Sequence, residues 1–145
     1  MAMRIGVAEF LESVSKLKKK EEKVKILKEN DSYIIRTMLQ GAFDPRIKWL
    51  LPEGIPPYTP NTLLDQENVL IRDARKLIYF VEGGHATLKQ SKRESIFVEM
   101  LETVTPRDAL LLCAMKDKKL PFKGITIDVV QEAYPGLLPD EQAKV

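Results

Sequence analysis

The chemistry-bearing residues in this sequence are mostly cations, and the densest run is Lys116-Asp117-Lys118-Lys119, followed by Lys123, Gly124 and Thr126. Ammonium groups at the end of one helix, running into a glycine and a hydroxyl that would cap the next, are the residue types that seat phosphate. The charges neutralise it and the free amides at a helix start donate to it. A second group, Lys89, Lys92 and Arg93 in "KQSKRES", carries little acid and would extend such a patch, with Arg46 and Lys48 joining from "DPRIKW". The run "KLKKKEEKVKILK", residues 16–28, interleaves Glu21 and Glu22 with its lysines. Alternating signs at helical spacing read as a solvated helix face, so Lys18 and Lys25 are expected to matter little for phosphate.

Catalytic constellations are harder to assemble. A catalytic cysteine needs a basic partner, and Cys113 lies inside the apolar run "ALLLCAM", where a thiol behaves as a small hydrophobe. His85, the single histidine, follows Gly83-Gly84 in a turn with nothing to orient it as a base. One cysteine and one histidine cannot supply a metal site of the usual ligand spacing. No phosphate-binding glycine loop of either common spacing occurs, and the acid pairs Glu21-Glu22 and Asp140-Glu141 sit in charged or terminal stretches that read as solubilising. The expectation is a chain that is not an enzyme and takes no cofactor or metal.

Spacing of apolar residues predicts helices to hold these groups. Val7, Phe10, Leu11, Val14 and Leu17 recur at three and four residues, as do Val24 and Leu27, then Ile34, Ile35, Met38 and Leu39 behind the cap pair Asp31-Ser32. A longer helix is expected from Asp65-Gln66-Glu67 to Gly83-Gly84, striped by Leu70, Ala74, Leu77, Ile78 and Val81. The next carries Ile96, Phe97, Met100, Leu101 and Val104. Thr105, Pro106 and Asp108 then mark the clearest helix start in the chain, as N-cap, first helical residue and capping acid. Its apolar run predicts the central helix, and Thr126 caps a short last one, Ile127 to about Ala133.

Prolines at 45, 52, 56, 57 and 60 exclude regular structure between Phe43 and Leu64. A loop of that length is functional or pinned to the core, and Trp49, Leu50, Leu51, Ile55 and Tyr58 favour pinning. The fold expectation is one all-α domain, residues 1–139, a bundle of about seven helices with a long Pro-rich loop, and a polar tail, 140–145. No signal-peptide core, no membrane-spanning run and a lone cysteine predict a soluble, cytoplasmic protein. The net charge of +2 is far from the strongly basic balance of many nucleic-acid modules, which favours a protein-binding adaptor where the local clusters of bases favour DNA.

One stretch is distinctive. "SIFVEMLETV", then "PRDALLLCAMKDKKL", a glycine turn, a short helix and the exit strip "AYPGLLPDEQ" resemble the N-terminal all-helical DNA-binding domain of phage-type ATP-dependent DNA ligases. A second stretch, "LKKKEEKVKILKENDSYIIRTMLQGAFDPRIKW", is similar to that family's opening. In those ligases the Pro-Gly-Leu-Leu-Pro type strip leads into the nucleotidyltransferase domain, whose lysine lies in a Lys-x-Asp-Gly motif. No Asp-Gly occurs here, and the turn "LPFKGIT" is longer than the family's.

The resemblance implies a non-catalytic, double-stranded DNA-binding accessory protein of a phage-like replication, repair or packaging system. It would hold backbone and minor groove without sequence preference, with a replication or repair protein as a second partner. The alternative is a protein-binding adaptor on the same scaffold, docking by its Pro-rich loop or exit strip on a replication enzyme, nuclease or host factor.

Overall fold

A computed structural model describes residues 6–63, 69–85 and 87–138. The chain forms α1 (Val7–Ser15), α2 (Lys20–Glu29), α3 (Tyr33–Phe43), α4 (Val69–Arg72), a 3-10 helix (Ala74–Phe80), α5 (Gln90–Thr103), α6 (Pro106–Lys116) and α7 (Ile127–Ala133). The only extended pairing among the described residues is a single antiparallel bridge, Trp49 to Val81. The polar tail lies outside the described residues.

α6 is the hub. Ala109, Leu111, Leu112, Cys113 and Met115 are buried as α1, α3 and α5 pack around it. Leu110, 51% exposed, and the half-buried Ala114 break the all-round burial expected of this run. The Thr105 hydroxyl accepts from the Asp108 amide at 3.1 Å, as the sequence predicts. The Asp108 side chain does something else: Oδ1 accepts from the Ala8 amide at 2.8 Å, so the acid caps the start of α1. A Cβ on Gly6 would stand 3.2 Å from both carboxylate oxygens, which explains a glycine where α1 begins.

The stripe expected over 65–83 departs from a single α-helix. Its start falls outside the described residues, and after one α-helical turn the chain tightens at Asp73 into the 3-10 helix. Three residues per turn stack Ala74, Leu77 and Phe80 on one buried line and leave Ile78 52% exposed. Val81 then leaves the helix for its bridge, with Leu50 donating to the Phe80 carbonyl at 2.7 Å and Glu82 to that of Lys48 at 2.9 Å.

The exit strip is part of the packed body. Tyr134 is buried, donates from its hydroxyl to the Leu27 carbonyl at 2.7 Å and lies under the Arg36 guanidinium. Gly136 supplies a left-handed turn, φ 86°, which lets Leu138 return to the core. α2 and α7 are thereby closed on one another.

Candidate nucleic-acid interface

Burial divides the sequence-predicted phosphate ligands into two groups. Lys116 is withdrawn: its side chain is 1% exposed, and Nζ donates to the carbonyls of Pro52 at 2.9 Å and Gly54 at 2.7 Å and to Asp117 Oδ1 at 2.8 Å. It is a clamp for the Pro-rich loop, because a buried ammonium must spend its donors internally. Asp117 completes the clamp by accepting from the Gly54 amide at 3.0 Å.

Lys118 takes the left-handed position, φ 58°, of a Schellman turn that ends α6, with Lys118 N–H donating to Met115 O and Lys119 N–H to Ala114 O, each at 3.0 Å. Its Nζ reaches across to the carbonyls of Gly41 at 2.6 Å and Asp44 at 2.8 Å, at the end of α3. Burial lowers its pKa, against a raising contribution from Asp44.

Arg93 is also internal. It is 6% exposed and donates to the carbonyls of Tyr79 at 2.9 Å, Leu88 at 3.3 Å and His85 at 3.4 Å, and to Gln90 Oε1 at 2.6 Å. Arg46 holds the buried carboxylate of Asp44 with two side-chain nitrogens, at 3.1 and 2.9 Å. Burial pushes the Asp44 carboxyl up, but the Arg46 bonds outweigh it and leave the carboxyl below the usual range.

Gly124 and Thr126 have structural duties as well. A Cβ on Gly124 would stand 2.1 Å from the Ser15 carbonyl oxygen, so this glycine marks a close approach to the end of α1 rather than a phosphate cradle. The Thr126 hydroxyl accepts from the Val129 amide at 3.4 Å as the cap of α7. Arg46 and Lys118 are exposed but engaged as described; Lys48, Lys89, Lys92, Lys119 and Lys123 are exposed as well, with Lys119 facing Glu53 at 3.1 Å.

The structure assembles a different cation cluster. Four of the five residues Lys16, Leu17, Lys18, Lys19 and Lys20 are lysines, and all four are exposed at the corner between α1 and α2. Lys23 donates to the Gly124 carbonyl at 2.8 Å, which sets Lys123 beside that corner. Among the described residues Lys18, Lys19 and Lys123 meet no carboxylate within ion-pairing distance, while Lys16 and Lys20 make surface pairs, to Glu12 at 3.8 Å and Glu132 at 3.5 Å. Exposed pairs of this kind are worth about 0–1 kcal/mol and yield readily to a better anion. The sequence carried a signal for this corner in its four lysines, but the contact that brings Lys123 to it spans a hundred residues and has no local signature.

Catalytic geometry does not develop around the other reactive groups. Cys113 is buried, and burial raises its thiol pKa above the usual range. His85 is exposed, its ring tilted against Tyr79 at 5.5 Å. Among the described residues no group of three His, Cys, Asp or Glu side chains could hold a metal ion, and no helix is long and apolar enough to cross a membrane.

The model of a family of unknown function, DUF6433, matches residues 10–121. The chain belongs to that family. The DUF6433 match takes in the lysine corner, the Pro-rich loop and the Lys116 clamp, and stops before Lys123, α7 and the exit strip. No curated protein matches the chain.

Proposed function

We propose that this DUF6433 protein is a non-catalytic module that binds double-stranded DNA through its phosphates, an accessory to replication, repair or packaging in a phage-like system. The observation that carries the reading is the convergence of Lys16, Lys18, Lys19, Lys20, Lys23 and Lys123 on one corner. Two segments about a hundred residues apart supply these charges, and the Lys23 to Gly124 bond and the close approach of Gly124 to Ser15 bring the two segments together. Cations on a rigid frame release condensed counterions when they meet a duplex, a driving force indifferent to base sequence. The likeness to a ligase domain whose part is to grip DNA, without the Lys-x-Asp-Gly lysine, supports the non-catalytic half of the reading.

A gel-shift titration against intact, nicked and single-stranded DNA at low salt tests it. Binding of both duplex forms in the micromolar range, independent of sequence, is the expected result. Absence of duplex binding, or an AMP adduct on any lysine after incubation with ATP and Mg²⁺, would overturn it.

A further inference from the structure

A second surface lies away from the lysine corner, between the Pro-rich loop and α5. Leu51, Ile55, Pro56, Phe97 and Val98 line a groove of about 290 Å³ there, floored by the Lys116 side chain. A space of this size takes one or two side chains rather than a whole small ligand. Its wall is built in advance. Lys116 holds the Pro52 and Gly54 carbonyls, Gln90 Nε2 donates to the Leu50 carbonyl at 2.8 Å, and Glu102 accepts from the Thr59 amide at 2.8 Å. A partner would therefore lose little affinity to ordering this loop. Ile55, 61% exposed, stands at the lip as an apolar contact with no internal duty.

The charges around the groove choose the occupant. Glu53 and Glu94 are on its lining and Glu102 stands along the same loop and helix, while among the described residues Lys119 is the outward cation beside Glu53, in an exposed pair at 3.1 Å that a partner's cation can replace. The Lys116 ammonium contributes no outward positive charge, since Asp117 and two carbonyls surround it. Phosphate would be repelled here. The net charge of +2 thus conceals a separation, with lysines at the α1–α2 corner and carboxylates at the groove.

We infer that the groove docks an extended segment of a partner protein, one that inserts an apolar side chain and sets a Lys or Arg beside it against Glu53 and Glu94. This holds whether or not the lysine corner binds DNA.

Selection of a random-peptide phage library on the full-length protein tests the inference. Val98→Glu, checked for folding by circular dichroism, serves as the counter-selection target, and the doubly reversed rim, Glu53→Lys with Glu94→Lys, as a second target. The expected winners carry an apolar residue within two positions of a Lys or Arg and lose binding to V98E. They bind the reversed rim at least about tenfold more weakly, because like charges across an interface are strongly unfavourable. Selection on the reversed rim should turn up acidic neighbours instead. Winners that ignore the rim charge, winners that bind V98E equally, no enrichment at all, or self-association that V98E abolishes would each overturn it.

Discussion

Lys23 and Gly124 stand 101 positions apart in the chain, yet the Lys23 ammonium donates to the Gly124 carbonyl at 2.8 Å. The bond ties α2 to the approach of α7, and the same glycine lies so close to Ser15 that a Cβ would fall 2.1 Å from its carbonyl oxygen. That obstacle is backbone, so Gly124→Ala must displace either α1 or the loop. Overpacking of this kind costs about 1–3 kcal/mol, and a lowered Tm should accompany weaker duplex binding as Lys123 moves from the corner. A variant as stable as the parent would show that the approach is not tight.

Lys116 is expected to be a stability residue and a spectator in DNA binding. Lys116→Met leaves Asp117 Oδ1 and the Pro52 and Gly54 carbonyls without the Lys116 donor, a loss of about 3 kcal/mol. Limited proteolysis should then cut within residues 51–57, while the salt dependence of any DNA binding stays as in the parent. A changed salt dependence with an intact loop would reverse the assignment.

Asp108 makes stability pH-dependent in an unusual direction. Burial raises its carboxyl pKa above the ordinary 3.8, and Glu9 adds to this, while the Ala8 and Val7 amides and Thr105 pull it partly back. The Val7 amide acts without a hydrogen bond to Oδ2, which is buried with no hydrogen-bond partner among the described residues. The folded state therefore holds this proton more firmly than the unfolded chain, so the group's contribution is full below 3.8 and declines as pH rises through the raised folded value. Asp108→Asn keeps an oxygen for the Ala8 amide and has no such titration. In urea unfolding between pH 4 and 7, the stability of the parent relative to D108N should fall with rising pH. A relative rise would contradict this sign.

Most of the helices were legible because their apolar spacing and caps are local. Ser32, Thr105 and Thr126 all cap where the sequence places them. The 3-10 segment is not legible in the sequence because Ala74, Leu77, Ile78 and Val81 fit an α-helical stripe as well as Ala74, Leu77 and Phe80 fit a three-residue repeat, and the bridge to Trp49 that draws Val81 out is a tertiary event. The same limit governs the site. Side-chain charge in "KDKK" says nothing about which lysine points inward, and Lys116 and Lys118 are claimed by carbonyls from the loop and from α3. Arg93 resembles its neighbours Lys89 and Lys92 in sequence, but oxygens of Tyr79 in the 3-10 helix, His85 and Leu88 in the turn, and Gln90 at the start of α5 take its donors.

The lysine corner is tested most directly by the salt dependence of duplex binding, measured by fluorescence anisotropy on a labelled duplex of arbitrary sequence from 50 to 200 mM salt. With roughly three to five phosphates engaged, log K should fall against log salt with a slope of about −3 to −4.5. Lys18→Glu, Lys19→Glu and Lys123→Glu together should remove about two to three units of that slope without unfolding the protein, while Lys48→Glu with Lys89→Glu should change it by less than about one unit. An unchanged slope in the triple variant, or a larger loss in the Lys48 and Lys89 pair, would contradict the account.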